Sequence, residues 1–86
     1  PSKQLRKLLL DKYDNGCVYC GRVFCDSVKL HWDHFEPYKW SADNSDDNFL
    51  PSCSRCNMIK KDFMFKDLEE ARIYIFAQLD KKANEG

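Results

Sequence analysis

The fold of this chain is decided by two short stretches, Cys17-Val18-Tyr19-Cys20-Gly21 and Cys53-Ser54-Arg55-Cys56-Asn57. Each stretch carries two cysteines separated by two residues, a spacing at which two thiolates can converge on one cation. Two such pairs complete the four-coordinate tetrahedron that zinc prefers, and they leave no open position on the ion. The sequence therefore predicts a structural zinc bound by Cys17, Cys20, Cys53 and Cys56.

Two other chemistries use paired cysteines, namely disulfide bonds and redox-active CxxC motifs. Disulfides persist in oxidising compartments, whereas this chain has an odd fifth cysteine, Cys25, and its first residues lack the apolar stretch of a signal peptide. A redox motif needs a single CxxC pair on a βαβ scaffold, and the sequence shows no such pattern. We therefore favour zinc, expect an intracellular protein, and interpret Cys25 as a partly buried structural thiol.

The chain is only slightly longer than the domains that usually need a metal or a crosslink for stability. Its 86 residues correspond to one small domain, and in chains below roughly 70–80 residues a core alone contributes only about 3–5 kcal/mol. Lys plus Arg number 14 and Asp plus Glu number 14, so the net charge is zero, which argues against a polybasic binder but leaves room for a locally basic site. No apolar run approaches about 18 residues, so we expect no contact with a membrane.

Helices are predicted at both ends of the chain. Apolar residues recur at helical spacing over residues 3–14, which indicates an amphipathic helix. A longer helix is predicted over about residues 67–82, with Asp67 as its N-cap. Its apolar residues cover more than one face, which indicates deep burial or contact with another part of a larger protein. We expect residues 1–86 to be a single domain of such a protein.

The segment between the cysteine pairs is predicted to contain two short strands. Apolar and polar residues alternate over residues 28–32, which predicts a half-buried strand with Leu30 and Trp32 in the core. Phe49 is also expected in the core, in a second short stretch that Pro51 restricts to a sheet edge. A short helix is predicted to begin near Asn57.

An Asp-His pair, Asp33-His34, lies just after the first predicted strand. A carboxylate is a hard ligand suited to Mg²⁺ or Mn²⁺, and an imidazole can take a proton from water near neutral pH. Such a pair is common and means little by itself. Here it is followed by Asn48-Phe49-Leu50 and then by Asn57 and Lys60-Lys61.

Taken in order, these motifs resemble the HNH endonuclease family, the ββα-metal nucleases with zinc knuckles. The family pattern is CxxCG, a strand ending in Asp-His with Pro three residues on, Asn before apolar residues, and CxxCN with a Lys three or four residues later. The match spans residues 17–61 and includes Pro37. The resemblance implies an α+β fold, in which a ββα-metal core is flanked by N- and C-terminal helices and held together by the four-cysteine zinc.

The resemblance also implies a role for each matching residue. His34 matches the general base, Asp33 and Asn57 match the ligands of a catalytic Mg²⁺ or Mn²⁺, and Asn48 matches the residue that fixes the loop presenting the base. Lys60 or Lys61 would contact phosphate. Lys39 is a further candidate for contact with nucleic acid, whereas His31 is expected to be solvated.

These assignments predict a metal-dependent DNA endonuclease that hydrolyses phosphodiester bonds. The alternative is a zinc-stabilised nucleic-acid-binding module with little or no cleavage activity of its own. In both cases DNA is the expected partner, and other domains or subunits would supply targeting. Metal-dependent nicking of a plasmid distinguishes the two.

Overall fold

The computed structural model describes residues 1–85 and shows a two-stranded antiparallel sheet with four helices. The elements are α1 (Lys3–Lys12), β1 (Leu30–His34), α2 (Tyr38–Ser41), a 3-10 turn (Asp46–Asn48), β2 (Phe49–Cys53), α3 (Ser54–Lys60) and α4 (Leu68–Glu85). Strands β1 and β2 pair so that Asp33 lies opposite Leu50 and His34 opposite Phe49. With α3 they form a ββα unit between two flanking helices, so the expected α+β fold is confirmed.

The first cysteine pair lies in a tight hairpin. The Cys17 N–H donates to the Arg22 carbonyl at 2.9 Å, and the Gly21 N–H donates to the Cys17 carbonyl at 2.9 Å. Gly21 has a φ of 78°, in the left-handed region that glycine adopts without steric cost. The Val18 N–H donates to the Pro51 carbonyl of β2 at 2.9 Å, which holds this hairpin against the strand that ends at Cys53.

The helix after β2 begins earlier than the sequence pattern predicts, at Ser54 rather than near Asn57. Cys53 is its N-cap, and the Cys53 Sγ accepts a hydrogen bond from the Cys56 N–H at 3.4 Å. Capping by the sulfur satisfies a backbone donor that would otherwise lack a partner at the helix start. Asn57 therefore lies inside α3. The first turn of that helix lies next to the other cysteines and includes Cys56.

The core surrounds the four cysteines and receives side chains from α3 and α4. Its buried members are Cys17, Val18, Tyr19, Cys53, Cys56, Ile59, Ala71 and Ile75. Helix α4 is joined to the first hairpin by Arg72, whose Nε donates to the Val18 carbonyl at 2.8 Å. The helix follows Asp67, whose Oδ1 accepts from the Glu70 N–H at 2.9 Å, as expected of an N-cap.

Helix α4 buries only part of its apolar surface. Ala71 and Ile75 are buried, whereas Ile73 and Phe76 are 64% and 49% exposed. The second apolar face that its sequence indicates is thus open to solvent. Throughout residues 1–85, no helix is both long and apolar enough to cross a bilayer.

Strand β1 buries a face that the alternation of its sequence does not predict. Leu30 is exposed and Trp32 is only half-buried, whereas Asp33 is 6% exposed. A charged side chain can occupy a buried position when it is paired and hydrogen-bonded, and Asp33 has such partners. The expectation that Leu30 belongs to the core is wrong, while Phe49 is buried as expected.

Cys25 is exposed rather than partly buried. It lies in the short turn after the first hairpin, where its Sγ is 3.3 Å from the Ser27 Oγ. The turn has too little chain around it to cover the thiol, so its expected structural role is not supported.

Candidate functional site

The four predicted zinc ligands converge on one point. The Sγ atoms of Cys17, Cys20, Cys53 and Cys56 all lie within 4.8 Å of one another. The first two come from the hairpin, and the other two come from the end of β2 and the first turn of α3. The two cysteine pairs, distant in sequence, thus form one cluster positioned to bind a metal ion.

The cluster fits zinc in its dimensions and in its chemistry. A tetrahedral site with Zn–S distances of about 2.3 Å has sulfur–sulfur separations of about 3.8 Å. The Sγ atoms of Cys20 and Cys53, which belong to different pairs, are 3.8 Å apart. The hydrogen bond between Cys17 and Cys56 lowers the pKa of the Cys17 thiol and raises that of the Cys56 thiol. The cluster thus favours a thiolate at Cys17, and thiolates are the form that binds metal. Four cysteines could hold a zinc ion here with no position left open.

Arg22 supports the sulfur cluster from outside. Its Nη2 donates to the Cys53 Sγ at 3.4 Å, and hydrogen bonds to Cys53 and Cys20 raise the pKa of its guanidinium. Arg22 therefore remains charged, and its charge offsets part of the negative charge that four thiolates bring to the site.

A separate pocket of about 280 Å³ brings together most of the predicted catalytic residues. It lies where the end of β1 meets α2 and α3. Its lining consists of Trp32, Asp33, His34, Pro37, Tyr38, Lys39, Asn57, Lys61 and Asp62. The base candidate, both ligand candidates for the divalent ion, and two exposed lysines thus share one concave surface, which we call the active-site pocket.

The imidazole of His34 is fixed by contacts on three sides. Its Nε2 is 2.9 Å from the Asn44 Oδ1, and its ring packs against Phe49 and Tyr38 with centroid distances of 4.6 Å and 5.7 Å. Because an amide oxygen only accepts hydrogen bonds, Nε2 carries the proton in this pair. In the tautomer that matches this hydrogen bond, Nδ1 is the ring nitrogen with the acceptor lone pair.

Asp33 is buried but well partnered. Its Oδ2 accepts a hydrogen bond from the Tyr19 hydroxyl at 2.5 Å and lies 3.4 Å from the Lys60 Nζ. Burial raises the pKa of Asp33, while Tyr19 and Lys60 act in the opposite direction. Burial, with Asp33 nearby, likewise raises the pKa of Tyr19, so its hydroxyl stays protonated and donates. Both contacts engage the same carboxylate oxygen, so the other is the one available to a ligand.

The structure separates the two lysines that the sequence treats as equivalent. Lys60 is fully buried, and its Nζ donates to the His34 carbonyl at 3.3 Å in addition to its ion pair with Asp33. A phosphate on the surface does not reach an ammonium in that position. Lys61 is exposed and lines the active-site pocket. Of the two lysines, only Lys61 thus has an ammonium group open to a ligand in the pocket.

Asn48 does not line the active-site pocket but closes the loop in front of it. Its Oδ1 accepts from the Glu36 N–H at 2.7 Å, and its Nδ2 donates to the carbonyls of Glu36 and Asp43, each at 2.9 Å. One buried side chain thereby holds both ends of the loop that follows His34. The loop includes Asn44, so Asn48 indirectly sets the position of the residue that contacts His34.

Helix α2 is joined to the turn after α3. The Lys39 Nζ lies 3.1 Å from the Asp62 Oδ2, and the Trp40 Nε1 donates to the Asp62 carbonyl at 2.7 Å. The ammonium of Lys39 lowers the pKa of Asp62. These contacts close one side of the active-site pocket and keep Lys39 at its edge. His31, by contrast, is exposed and outside the pocket.

Sequence reasoning missed Tyr19 and Asn44, which contact Asp33 and His34. No local signal identifies Asn44, because it is one of several polar residues in an irregular loop. No local signal identifies Tyr19 either, because its contact is with Asp33, which lies 14 residues further along the chain.

A family model described as HNH endonuclease matches residues 17–63, which is more than half of the chain. The matched region contains both cysteine pairs, the sheet, α2, α3 and every residue that lines the active-site pocket. No curated protein and no solved structure matches the chain.

Proposed function

This chain belongs to the HNH endonuclease family, and from that premise we propose that it hydrolyses phosphodiester bonds of DNA with the help of one divalent ion. The observation that carries the proposal is the shared lining of the active-site pocket by Asp33, His34 and Asn57. The proposed base and the two proposed oxygen ligands would thus share one pocket, as metal-assisted hydrolysis requires.

His34 is proposed as the general base. The hydrogen bond between its Nε2 and the Asn44 Oδ1 leaves Nδ1 to take a proton from the attacking water. The packing of the ring against Phe49 and Tyr38 restricts its rotation, so the base is held in one orientation before the substrate arrives. We propose Asn44 as a positioning residue that selects the reactive tautomer.

Asp33 and Asn57 are proposed to hold Mg²⁺ or Mn²⁺, because both supply the hard oxygen ligands that these ions prefer. Asp33 would use the carboxylate oxygen that Tyr19 and Lys60 do not engage. A divalent ion bound there would stabilise the negative charge that develops on the leaving 3′ oxygen. The products would be a 5′-phosphate and a 3′-hydroxyl.

Lys61 and Lys39 are proposed to bind the substrate. Both are exposed and both line the active-site pocket, so their ammonium groups can reach phosphates on either side of the scissile bond. Lys60 is left out of this group because of its burial, and we propose that it acts as an internal counter-ion to Asp33.

The four-cysteine cluster is proposed to bind zinc in a purely structural role. Residues 1–86 would then work as one nuclease domain, with targeting supplied by other domains or subunits. Five cysteines without a disulfide suit a reducing compartment, and we propose an intracellular location on that ground.

The experiment that tests the function is nicking of supercoiled plasmid by the zinc-loaded protein, with Mg²⁺, with Mn²⁺, and without added divalent ion. We expect nicked product only with Mg²⁺ or Mn²⁺, and a greatly reduced rate for His34→Ala. Omitting the ion is a better control than a chelator, since a chelator also removes zinc from the cysteines.

One observation favours a second candidate, a nucleic-acid-binding module without cleavage. The ammonium of Lys60 lies against the Asp33 carboxylate that would bind the divalent ion. Because like charges repel, this ammonium disfavours a divalent cation at the same carboxylate. DNA binding with no nicking at millimolar Mg²⁺ or Mn²⁺ would favour this second function.

A further inference from the structure

A second pocket, of about 320 Å³, lies between α3 and α4. Three cations line it, Arg55, Lys61 and Lys82, together with Tyr74 and Met58. We call it the basic pocket. None of the roles proposed above uses Arg55 or Lys82, and both are exposed.

The charge of the basic pocket is unbalanced. No carboxylate lines it, and within residues 1–85 none forms an ion pair with Arg55, Lys61 or Lys82. The whole chain carries equal numbers of acids and bases, so three unpaired cations around one concavity are a local excess. A positive concavity of this kind raises the local concentration of an anionic ligand.

The basic pocket adjoins the active-site pocket at Lys61, which lines both. Its wall is partly rigid, since the Tyr74 ring packs against Phe63 and Phe65 with centroid distances of 5.6 Å and 5.4 Å. A polyanion that is bound at the active-site pocket and extends past Lys61 would therefore contact a preformed cationic surface.

The surface around the loop partner of His34 is acidic. His34 contacts Asn44, and the neighbouring residue Asp43 lines a third pocket together with Glu36 and Asp47. Phosphates leaving in that direction would be repelled by carboxylates. The charge distribution thus favours one direction for a bound strand, from His34 past Lys61 toward Lys82.

We propose that the basic pocket binds backbone phosphates of the DNA that flanks the scissile bond, through Arg55 and Lys82. The proposal rests on the proposed function, because it takes DNA as the ligand of the adjacent site. A strand bound in this way would be recognised by its charge, since phosphate contacts fix position and carry no direct sequence information.

The test compares DNA binding by Arg55→Gln and Lys82→Gln with the matched control Lys81→Gln. Lys81 is also exposed on α4 but does not line the basic pocket. Affinity for a fluorescent DNA duplex is measured over a range of salt concentrations without added divalent ion, so that no cleavage occurs. Zinc content and circular dichroism verify the fold of each variant. If Arg55→Gln loses zinc, the result for Lys82→Gln alone tests the inference.

We expect the dependence of log Kd on log salt to flatten by about 0.9 for each lost phosphate contact. Lys81→Gln should keep the wild-type slope. In nicking assays with Mg²⁺, Arg55→Gln and Lys82→Gln should raise KM and leave kcat nearly unchanged, as expected for lost uniform binding.

The inference would be overturned if the slope of log Kd against log salt were the same for Arg55→Gln and Lys82→Gln as for Lys81→Gln. The proposed function is tested separately by the wild-type protein. If the wild-type protein nicks DNA and all variants show the same slope, only the proposal for the basic pocket is wrong. If the slopes change as expected but the wild-type protein never nicks DNA, only the proposed nuclease activity is wrong.

Discussion

The Nζ of Lys60 lies 3.4 Å from the Oδ2 of Asp33, and the two side chains are 0% and 6% exposed. A buried ammonium thus accompanies the carboxylate proposed to bind the divalent ion. The same ammonium also donates to the His34 carbonyl, so one side chain contacts the two adjacent residues on which the proposed chemistry depends.

We predict that Lys60→Met lowers the free energy of unfolding by about 3–5 kcal/mol. The change keeps most of the side chain's volume but leaves a buried carboxylate without its counter-ion, and breaking a buried pair costs about that much. Urea denaturation of the zinc-loaded protein measures the effect.

Lys61→Met is the matched control, since Lys61 is the next residue and is exposed. Its free energy of unfolding should remain within about 0.5 kcal/mol of the wild type, while its affinity for DNA falls. Equal stability of the two variants would contradict the internal role of Lys60.

A second prediction concerns the metal centre. Cys53→Ser removes a thiolate from the cluster and should abolish zinc binding and cooperative unfolding, because in small zinc domains the free energy of metal binding is folding free energy. Zinc analysis and thermal denaturation followed by circular dichroism are the measurements. Cys25→Ser, which changes an exposed cysteine outside the cluster, should keep one zinc per chain and the wild-type Tm. A wild-type protein without zinc would disprove the assignment.

A third prediction separates the two histidines. His34→Ala should reduce the nicking rate by about 10²–10⁴-fold, the usual range for loss of a positioned base, with zinc content and DNA affinity unchanged. His31 is exposed and outside the active-site pocket, so His31→Ala should retain most of the activity. If His31→Ala were the inactive variant, the assignment of the base would be wrong.

A fourth prediction concerns Asn57. Asn57→Ala should raise the Mg²⁺ concentration needed for half-maximal nicking, because one oxygen ligand is lost, while the Tm stays close to the wild-type value. Titration of the nicking rate with Mg²⁺ measures the shift. Asn84→Ala, which changes an exposed asparagine on α4, is the control and should titrate like the wild type. An unchanged Mg²⁺ dependence would remove Asn57 from the metal site.

The parts of the structure that were predicted from sequence have local causes. The spacing within each CxxC pair is set by the geometry of one turn around a cation, and Asp67 caps α4 through a hydrogen bond to a residue three positions away. Such features need no knowledge of the rest of the fold. The order of the motifs was also sufficient to identify the family that the chain belongs to.

The parts that were missed depend on contacts between residues far apart in sequence. Nothing local distinguishes Lys60 from Lys61, and only the position of Asp33 on the neighbouring strand explains why the first is buried. The Lys60–Asp33 ion pair also explains why the burial of β1 differs from the prediction. An alternation of apolar and polar residues predicts that an aspartate faces solvent, whereas Asp33 is buried. Asn44 was missed for a similar reason, since its importance comes from the histidine it contacts.

The position of the cysteine pairs has a consequence for how this domain can vary. An ion bound by both pairs closes residues 21–52 into a continuous ring whose ends are fixed at the metal. Loop-closure entropy grows only slowly with length, by about 0.6 kcal/mol for each doubling of a flexible loop. Helix α2 and the acidic residues near Asn44 lie within this ring, and most of the core lies outside it. Insertions and deletions around α2 would therefore change how the domain meets its substrate while leaving the anchored part of the fold largely unaffected.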